Sequence, residues 1–450
     1  MPGATLSRWT MSYFAAACMM LIAGQGLMAA GYGFPAGSIS APETLVLVHV
    51  LAIGWLSLLM VGALLQFVPV LAARPLVGGR FSAPALLLII GGLGLLLSGF
   101  VALSGAFDLP LLLLPLGGVT LLAGFGVVAA VLAATLLAAR PLPLPARFVA
   151  VGLSSLLGAI LLGAAFTVAL SGSVESELLA RLVANAVDLH AVLGLGGWLS
   201  ITAVGVSYRL LAMFLLAPET EERTSRFALR AASGAMGLVG VCVLLVLVGS
   251  GGGAVLFTLA LVLTLVAALL YGRDVVRLYR ARRRKQAEVN IRASFAAFAA
   301  LAICVVLVNI PAIRGGEGVG AIVYLFVFGW LTGLGLAQLY KIVAFLTWLE
   351  AYGPVLGRAP VPRVQDLVEE RRAFVLFCLY YGAVAAATLT LFAGMTGLFR
   401  VMVLLQLAAT LGLMREFVRS RRLSVVPAPL RAPAGMVRPR LFLPLYESRR

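Results

Sequence analysis

The sequence predicts an all-α polytopic membrane protein with twelve transmembrane helices arranged as three parallel four-helix repeats. Of its 450 residues, 62% are hydrophobic and only 11% are charged, whereas about a quarter of a soluble chain is charged. Long apolar runs follow one another with short breaks, and about 20 apolar residues are enough to cross a bilayer core. One tetrapeptide also recurs three times along the chain, which indicates an internal repeat.

The twelve predicted spans follow the apolar runs in chain order. They cover residues 11–31, 43–72, 82–106, 110–139, 146–171, 183–217, 226–249, 253–281, 293–313, 318–349, 372–394 and 398–418. A transmembrane β-barrel would instead show alternating strands of about ten residues, and the sequence has no such pattern. The first span has only Arg8 before it and no convincing cleavage site, so we expect a retained helix rather than a signal peptide.

The positions of the basic residues predict the orientation. The formal net charge is +17, and with a cytoplasmic N-terminus nearly all of the 34 lysines and arginines fall on the cytoplasmic side. The exceptions are Arg181, Arg314 and Arg400 on the other side and Arg209 and Lys341 within spans. This distribution follows the positive-inside rule and predicts an inner-membrane protein with both termini in the cytoplasm. It favours the lipid bilayer as the partner and argues against nucleic acid.

The densest basic run, "RDVVRLYRARRRK" at 273–285, has two interpretations. It serves either as a topology anchor or as a contact for anionic lipid headgroups. The four cysteines all lie in apolar spans and form no C-x-x-C pair. They are therefore interpreted as buried small hydrophobic residues rather than a disulfide framework.

The recurring tetrapeptide reads GWLS at 54–57, GWLS at 197–200 and GWLT at 329–332. The likeness continues downstream, where Tyr208 and Arg209 match Tyr340 and Lys341 without gaps. Small residues beside a tryptophan favour close helix packing in lipid, and the serine or threonine can bond its own backbone or a neighbour. We expect Arg209 and Lys341 to extend toward the cytoplasmic interface, or to pair with an anionic lipid or cofactor group.

The three copies fall in spans two, six and ten, so the repeating unit is four helices. An even number of helices keeps every repeat in the same membrane orientation, whereas inverted repeats need an odd number. The predicted divisions are repeats at 1–142, 143–288 and 289–422. A Pro/Arg-rich cytoplasmic tail follows at 423–450, and we expect it to be disordered or to lie along the membrane surface.

The chain has only two histidines, His49 and His190, and each precedes a copy of the tetrapeptide. An ionisable residue within a span is a functional hypothesis, and imidazole binds haem iron and copper. The alternative is a buried histidine bonded to a neighbouring carbonyl. On an ideal helix the two rings would face about 160° apart, unless the glycines of "LGLGG" allow a bulge. The third copy has Tyr324 where the first has His49, and tyrosine either ligates ferric haem or anchors the interface.

Twelve spans, three four-helix arcs and histidines on helices two and six resemble subunit I of the haem-copper oxidase superfamily. The stretch "HVLAIGWLSLLMVGALLQFVPV" is similar to short, divergent cbb3-type relatives, and more faintly to a membrane haem-copper family tied to the nitric oxide response. The resemblance implies His49 as a ligand of a low-spin haem, taken as b-type, and His190 as the nearest candidate for a copper ligand.

The sequence departs from that superfamily on helices seven and ten. The resemblance implies two adjacent histidines on helix seven and two more on helix ten, and this chain has none in either. A binuclear oxygen-reducing centre therefore cannot be assembled in the superfamily's way. We expect a degenerate member that is not a working terminal oxidase.

Three hypotheses follow for the function. The first is a haem-binding protein in electron transfer, redox or nitric-oxide-related sensing, with respiratory or cytochrome partner subunits. In it His49, His190 and Tyr324 bind the cofactor, and His49 and His190 are the ligands of the haem iron and of any copper. The second is a cofactor-free accessory or assembly subunit of a respiratory complex. The third is a copper-handling transporter that uses the soft ligands of Cys18–Met20, Met28 and Met60.

Overall fold

All twelve predicted spans are helices in a computed structural model of the chain, which describes residues 9–139, 141–218, 223–284, 286–310 and 318–442. Within these ranges there are twelve helices long and apolar enough to cross a membrane, and no strands. They are α1 Thr10–Ala30, α2 Pro42–Ala72, α3 Gly79–Leu103, α4 Leu113–Leu137, α5 Leu144–Leu170, α6 Val187–Leu215, α7 Arg223–Val248, α8 Gly253–Arg280, α9 Val289–Val308, α10 Gly318–Val355, α11 Glu370–Phe392 and α12 Thr396–Arg421. Arg8 and Arg314, which the topology prediction uses, lie outside the described ranges.

Each copy of the tetrapeptide lies in a π-helical segment of a long helix. These segments are Val50–Ser57 in α2, Val192–Ile201 in α6 and Leu325–Thr332 in α10. A π-helix bonds residue i to residue i+5, is rare, and occurs frequently at functional sites. Because the wider turns lie between each histidine and its tryptophan, the angle calculated for an ideal helix does not apply to the two rings.

The serines of the first two copies bond within their own π-helical segments. The hydroxyl of Ser57 donates to the Ala52 carbonyl and that of Ser200 to the Leu195 carbonyl, each over 2.8 Å. Both bonds reach back five residues, as π-helical geometry requires. The predicted bond between this residue and its own helix backbone is therefore confirmed for these two copies.

The first compact unit, Ser40–Lys285, contains α2 to α8. Within it α3 packs on α4, α4 on α5, α5 on α6 and α7 on α8. The backbones of α3 and α4 approach closely because glycines face the contact. A Cβ added to Gly92 would lie 2.8 Å from the Leu121 nitrogen, and one on Gly117 would lie 2.6 Å from the Leu96 nitrogen. Small residues at helix contacts of this kind are typical of membrane proteins.

The second compact unit consists of Arg8–Ile39 and Gln286–Arg450 and contains α1 and α9 to α12. Here α1 packs on α12, α9 on α10 and α11 on α12. Within this unit the first helix of the chain therefore packs against the last one.

The described part of the tail packs onto the end of α10, so the predicted alternative of a disordered segment is wrong for these residues. Leu423 and Val426 are buried together with Tyr352 of α10 in an apolar cluster. The Tyr352 hydroxyl donates to the Arg431 carbonyl over 3.0 Å. Composition did not reveal this contact, because proline and arginine are common in the segment, whereas the contact depends on the two buried residues Leu423 and Val426.

Two of the three basic residues that depart from the positive-inside rule bind the ends of helices. Arg181 donates to the Leu247 carbonyl in the last turn of α7 over 3.3 Å. Arg400 donates to the carbonyls of Ala29 and Ala30 at the end of α1 over 2.9 and 3.0 Å. The last carbonyls of a helix lack partners within the helix, so these guanidinium groups supply the missing donors.

Candidate functional site

His49 lies on α2, immediately before the first π-helical segment, and is half-buried. Its Nδ1 is bonded to the Leu45 carbonyl of the same helix over 2.7 Å. Its ring packs against Phe100 of α3, with a centroid separation of 5.0 Å. A carbonyl on Nδ1 places the proton there and leaves Nε2 with the lone pair.

His190 lies on α6 and fits into a niche on one face of α5. Its Nδ1 is bonded to the Ala159 carbonyl over 2.9 Å, and its ring meets Phe166 edge-on at 5.6 Å. Gly163, between these two residues on the same face of α5, leaves room for the ring. A Cβ there would lie 3.1 Å from Cε1 of His190.

The two imidazoles thus share one arrangement although they use different carbonyls. In each, Nδ1 is held by a backbone oxygen, and Nε2 makes no hydrogen bond within the described part of the chain. Ligating histidines usually donate their other nitrogen to a carbonyl or carboxylate, which fixes the ring and raises its basicity. Both rings therefore have the geometry of a metal ligand as well as that of a satisfied structural histidine.

The helices that bear the two histidines meet at the repeated tetrapeptide. The indole nitrogen of Trp198 donates to the Ser57 hydroxyl over 3.0 Å, and both groups are buried. The first compact unit therefore contains both histidines of the chain.

Tyr324 is buried on α10, in the second compact unit. Its hydroxyl donates to Oε1 of Gln406 on α12 over 2.5 Å, and its ring packs against Phe328 and Phe399. A phenol in a donor bond of this kind is protonated, whereas a haem-ligating tyrosine binds iron through its oxygen.

Sequence reasoning missed the buried amides of the second unit. Gln25 on α1 and Gln406 on α12 are both fully buried. Neither amide atom of Gln25 finds a hydrogen-bond partner within the described residues. A buried polar group without a partner is unusual, and it indicates a position where a ligand or a water molecule binds. Glutamine within an apolar span was the signal available in the sequence.

Lys341 does not extend toward the interface as predicted from its position. Its Nζ lies 2.7 Å from Oε2 of Glu288, and both side chains are largely buried, at 13% and 7% exposed. The other oxygen of Glu288 accepts from Gln365 over 2.8 Å. In the first unit the Tyr208 hydroxyl, next to Arg209 in the chain, donates to Asp274 over 2.8 Å. Each of the matched pairs Tyr208–Arg209 and Tyr340–Lys341 therefore has one member bonded to a buried carboxylate.

Asp188 does not support His190, in agreement with its position two residues earlier on the helix. It lines an open cavity of about 800 Å³ between the short helix Glu177–Asn185 and the turn at 249–253. The wall opposite is formed by the end of α7 and the start of α8. The carboxylate therefore lies in this cavity rather than against the imidazole.

The donor set fits a haem better than a multi-histidine copper centre. Within the described part of the chain, no group of three or more His, Cys, Asp or Glu side chains could hold a metal ion. The sequence holds only two histidines in all. A haem needs one or two axial ligands from the protein, and the chain offers two imidazoles with an open Nε2.

Comparison with known proteins identifies the fold. No protein-family model and no curated protein matches the sequence. A similar solved structure is described as the cryo-EM structure of a heme-copper terminal oxidase dimer. It has a TM-score of 0.60 and 14% sequence identity over 98% of this chain and 87% of that chain. At such low identity the similarity concerns the fold and not the activity. We conclude that this chain shares the twelve-helix fold of a haem-copper terminal oxidase, as the sequence predicts.

Proposed function

We propose that this protein is a haem-binding integral membrane protein that acts in electron transfer, or in redox or nitric-oxide-related sensing, rather than in oxygen reduction. The observation that carries the proposal is the pair of imidazoles held through Nδ1 with Nε2 open. The shared fold with a haem-copper terminal oxidase supports it. A haem, when bound, would supply one-electron chemistry, with its potential set by axial ligand and burial.

His49 is the proposed axial ligand of a b-type haem. The Leu45 carbonyl would hold the proton on Nδ1 and orient the ring, and Phe100 would restrict its rotation. His190 is the proposed second or separate ligand, oriented by Ala159 and by the niche on α5. Tyr324 is the third candidate, and its phenol would have to give up its bond to Gln406 in order to bind iron.

The architecture we propose around this site is the threefold repeat of four helices. Two observations support it. Each tetrapeptide lies in a π-helical segment, and the matched hydroxyls of Ser57 and Ser200 both donate to the carbonyl five residues earlier. We propose that the protein resides in the inner membrane with both termini cytoplasmic, and that respiratory or cytochrome subunits are its partners.

The test is an absorption spectrum of the full chain, purified in detergent from haem-supplied cells, before and after dithionite. We expect a Soret band whose position changes on reduction. Replacing His49 by Gly should abolish the band, and added imidazole should restore it by filling the vacated space. Replacing His190 by Ala should shift the band if it is the second ligand of the same haem.

Tyr324→Phe is the matched variant for the phenol, because it keeps the ring and its packing. A band that survives in Tyr324→Phe but not in His49→Gly assigns the iron to the imidazole. Colourless wild-type protein would overturn the haem proposal. That outcome, with loss of a respiratory complex on deletion of the gene, favours the cofactor-free accessory subunit, whereas stoichiometric copper in the purified protein favours copper handling.

A further inference from the structure

Helix α8 is the least buried of the twelve helices. Of its 28 residues only four are buried, namely Ala260, Tyr271, Asp274 and Val275. It packs on α7 and on the C-terminal half of α6, and the rest of its surface faces outward in this unit. A helix so little covered by protein presents most of its length to the surrounding membrane.

The outward face of α8 carries one continuous stripe of side chains at spacings of three and four residues. Its apolar part consists of large residues that are 40% to 74% exposed: Val255, Leu259, Val262, Val266 and Leu269. The same stripe continues through the exposed arginines Arg273, Arg277 and Arg280. Residues three or four apart lie on one face of a helix, so five apolar side chains lead directly to three guanidinium groups. This set of eight residues is called the α8 stripe below.

No acidic residue of α8 interrupts the stripe. The helix has a single carboxylate, Asp274, and it is turned inward. Its two oxygens accept from Tyr208 over 2.8 Å and from Thr224 over 2.6 Å. The α8 stripe therefore presents positive charge at one end and apolar surface along the remainder.

The dimensions of the α8 stripe match one leaflet of a bilayer. From Leu259 to Leu269 the helix rises about 15 Å at 1.5 Å per residue, which is half of a hydrocarbon core of about 30 Å. The arginines then begin one turn further on, at the depth of the headgroups. Anionic lipids are concentrated in the cytoplasmic leaflet, where basic segments attract them.

We propose that the α8 stripe is a binding site for an anionic phospholipid of the cytoplasmic leaflet. Its acyl chains lie along Leu259, Val262, Val266 and Leu269, and its phosphate binds Arg273, Arg277 and Arg280. The stripe does more than anchor topology, because the positive-inside rule depends on the number of basic residues and not on the face they occupy. Its exposed apolar residues are Val and Leu, whereas helix–helix contacts in membranes favour Gly, Ala, Ser and Thr. This favours a lipid over a second protein helix.

The experiment titrates the full chain, stripped of lipid in detergent, with phosphatidylglycerol or phosphatidylcholine, and counts bound lipids by native mass spectrometry. We expect phosphatidylglycerol to bind at least tenfold more tightly than phosphatidylcholine. Each of Arg273→Gln and Arg280→Gln should weaken phosphatidylglycerol binding about fivefold, because a basic residue near an anionic lipid contributes about a factor of five. The triple variant with Arg277→Gln should weaken it on the order of a hundredfold.

The matched control removes the same charge from the ends of α11 and α12, in the triple variant Arg371→Gln, Arg415→Gln and Arg422→Gln. All three of these arginines are exposed. The control should leave phosphatidylglycerol binding within about twofold of wild type, since it leaves the α8 stripe intact. Equal losses in both triple variants would overturn the proposal in favour of unspecific attraction.

Two further outcomes decide the chemistry of the ligand. Glycerol phosphate, which has the headgroup but no acyl chains, should compete only at far higher concentration. If it competes as well as the whole lipid, the site binds phosphate alone and the apolar half of the proposal is wrong. If phosphatidylcholine binds as tightly as phosphatidylglycerol, the arginines do not distinguish an anionic from a zwitterionic headgroup, and the proposal is wrong.

Discussion

The bond between Trp198 and Ser57 joins the tryptophan of the second tetrapeptide to the hydroxyl of the first. The Ser57 hydroxyl donates backward to Ala52 within its π-helical segment and accepts the Trp198 indole from the next copy. One side chain therefore both stabilises a wide helical turn and joins two helices. The pattern G-W-L-[ST] is a packing element, as the sequence suggests, and in the first two copies it follows a histidine on the same helix.

Ser57→Ala should destabilise the fold by about 1–3 kcal/mol, because the buried Trp198 nitrogen loses its acceptor. Ser57→Thr keeps the hydroxyl, which is the residue type of the third copy, and should retain most of the stability. Thermal unfolding of both variants in detergent provides the comparison. Equal midpoints for the alanine and threonine variants would show that the bond contributes nothing.

Gly163→Ala tests whether the position of His190 matters for a bound haem. The added Cβ lies 3.1 Å from the imidazole, so the ring must move by a few tenths of an ångström. We expect a shifted Soret band or a lower haem content with little loss of stability. Gly126→Ala is the control, since a Cβ there meets nothing within 4 Å. Identical spectra for both variants would argue that His190 is structural.

The helices are held together by backbone contact as much as by apolar side chains. In lipid, burial of apolar surface gives little driving force, so close packing at small residues takes its place. The α3–α4 pair uses Gly92 and Gly117 in this way. Where a helix ends away from other backbone partners, a long basic side chain supplies the donor, as Arg400 does for α1.

Gly92→Ala should separate α3 from α4 and cost about 1–3 kcal/mol, the usual range for overpacking. The matched variant is Gly91→Ala on the same helix, where the added methyl group meets nothing within 4 Å. We expect Gly91→Ala to be neutral or slightly stabilising, because alanine is the better helix former. Thermal unfolding of the two variants decides the matter, and equal losses in both would count against the contact.

Arg400→Gln should destabilise the second unit by about 1–3 kcal/mol, because the Ala29 and Ala30 carbonyls lose a charged donor. Gly31 beside it adopts a left-handed conformation, with φ +83°, and a Cβ there would lie 3.1 Å from the guanidinium. Arg400→Lys keeps the charge but offers no planar fork, so we expect partial rescue. A midpoint of unfolding unchanged in Arg400→Gln would refute the capping role.

The molecule divides into a unit of α2–α8 and a unit of α1 with α9–α12 and the tail. The tail completes the second unit, because its apolar residues cover the end of α10. This arrangement keeps Tyr352, which is fully buried, away from water. In the same unit Lys341, Glu288 and Gln365 form a connected polar network.

Val426→Asp should lower the stability of the second unit by at least about 3 kcal/mol, since an unpaired carboxylate would enter an apolar cluster. Ala428→Asp is the control, because Ala428 is exposed and begins a short helix. Limited proteolysis and thermal unfolding both report the difference. Similar protease resistance in the two variants would show that the tail does not need this contact.

The sequence by itself determined the number, order and approximate limits of the helices. Lipid offers no hydrogen-bond partners, so the backbone N–H and C=O groups of a long apolar run must bond to one another. An α-helix satisfies these groups within the run itself. The fold class followed from these apolar runs, and the tetrapeptide, the two histidines and Tyr324 could also be identified in the sequence.

Only the tertiary structure decided which interactions these residues make. The π-helical segments, the carbonyls that hold His49 and His190, and the pairing of Lys341 with Glu288 depend on which helices become neighbours. Apolar periodicity carries almost no information in a helix that is hydrophobic on every side, so contacts between helices cannot be read from it. The packing of the tail onto α10 was not predicted for a related reason. The composition of a segment does not show which surface of the protein it packs against.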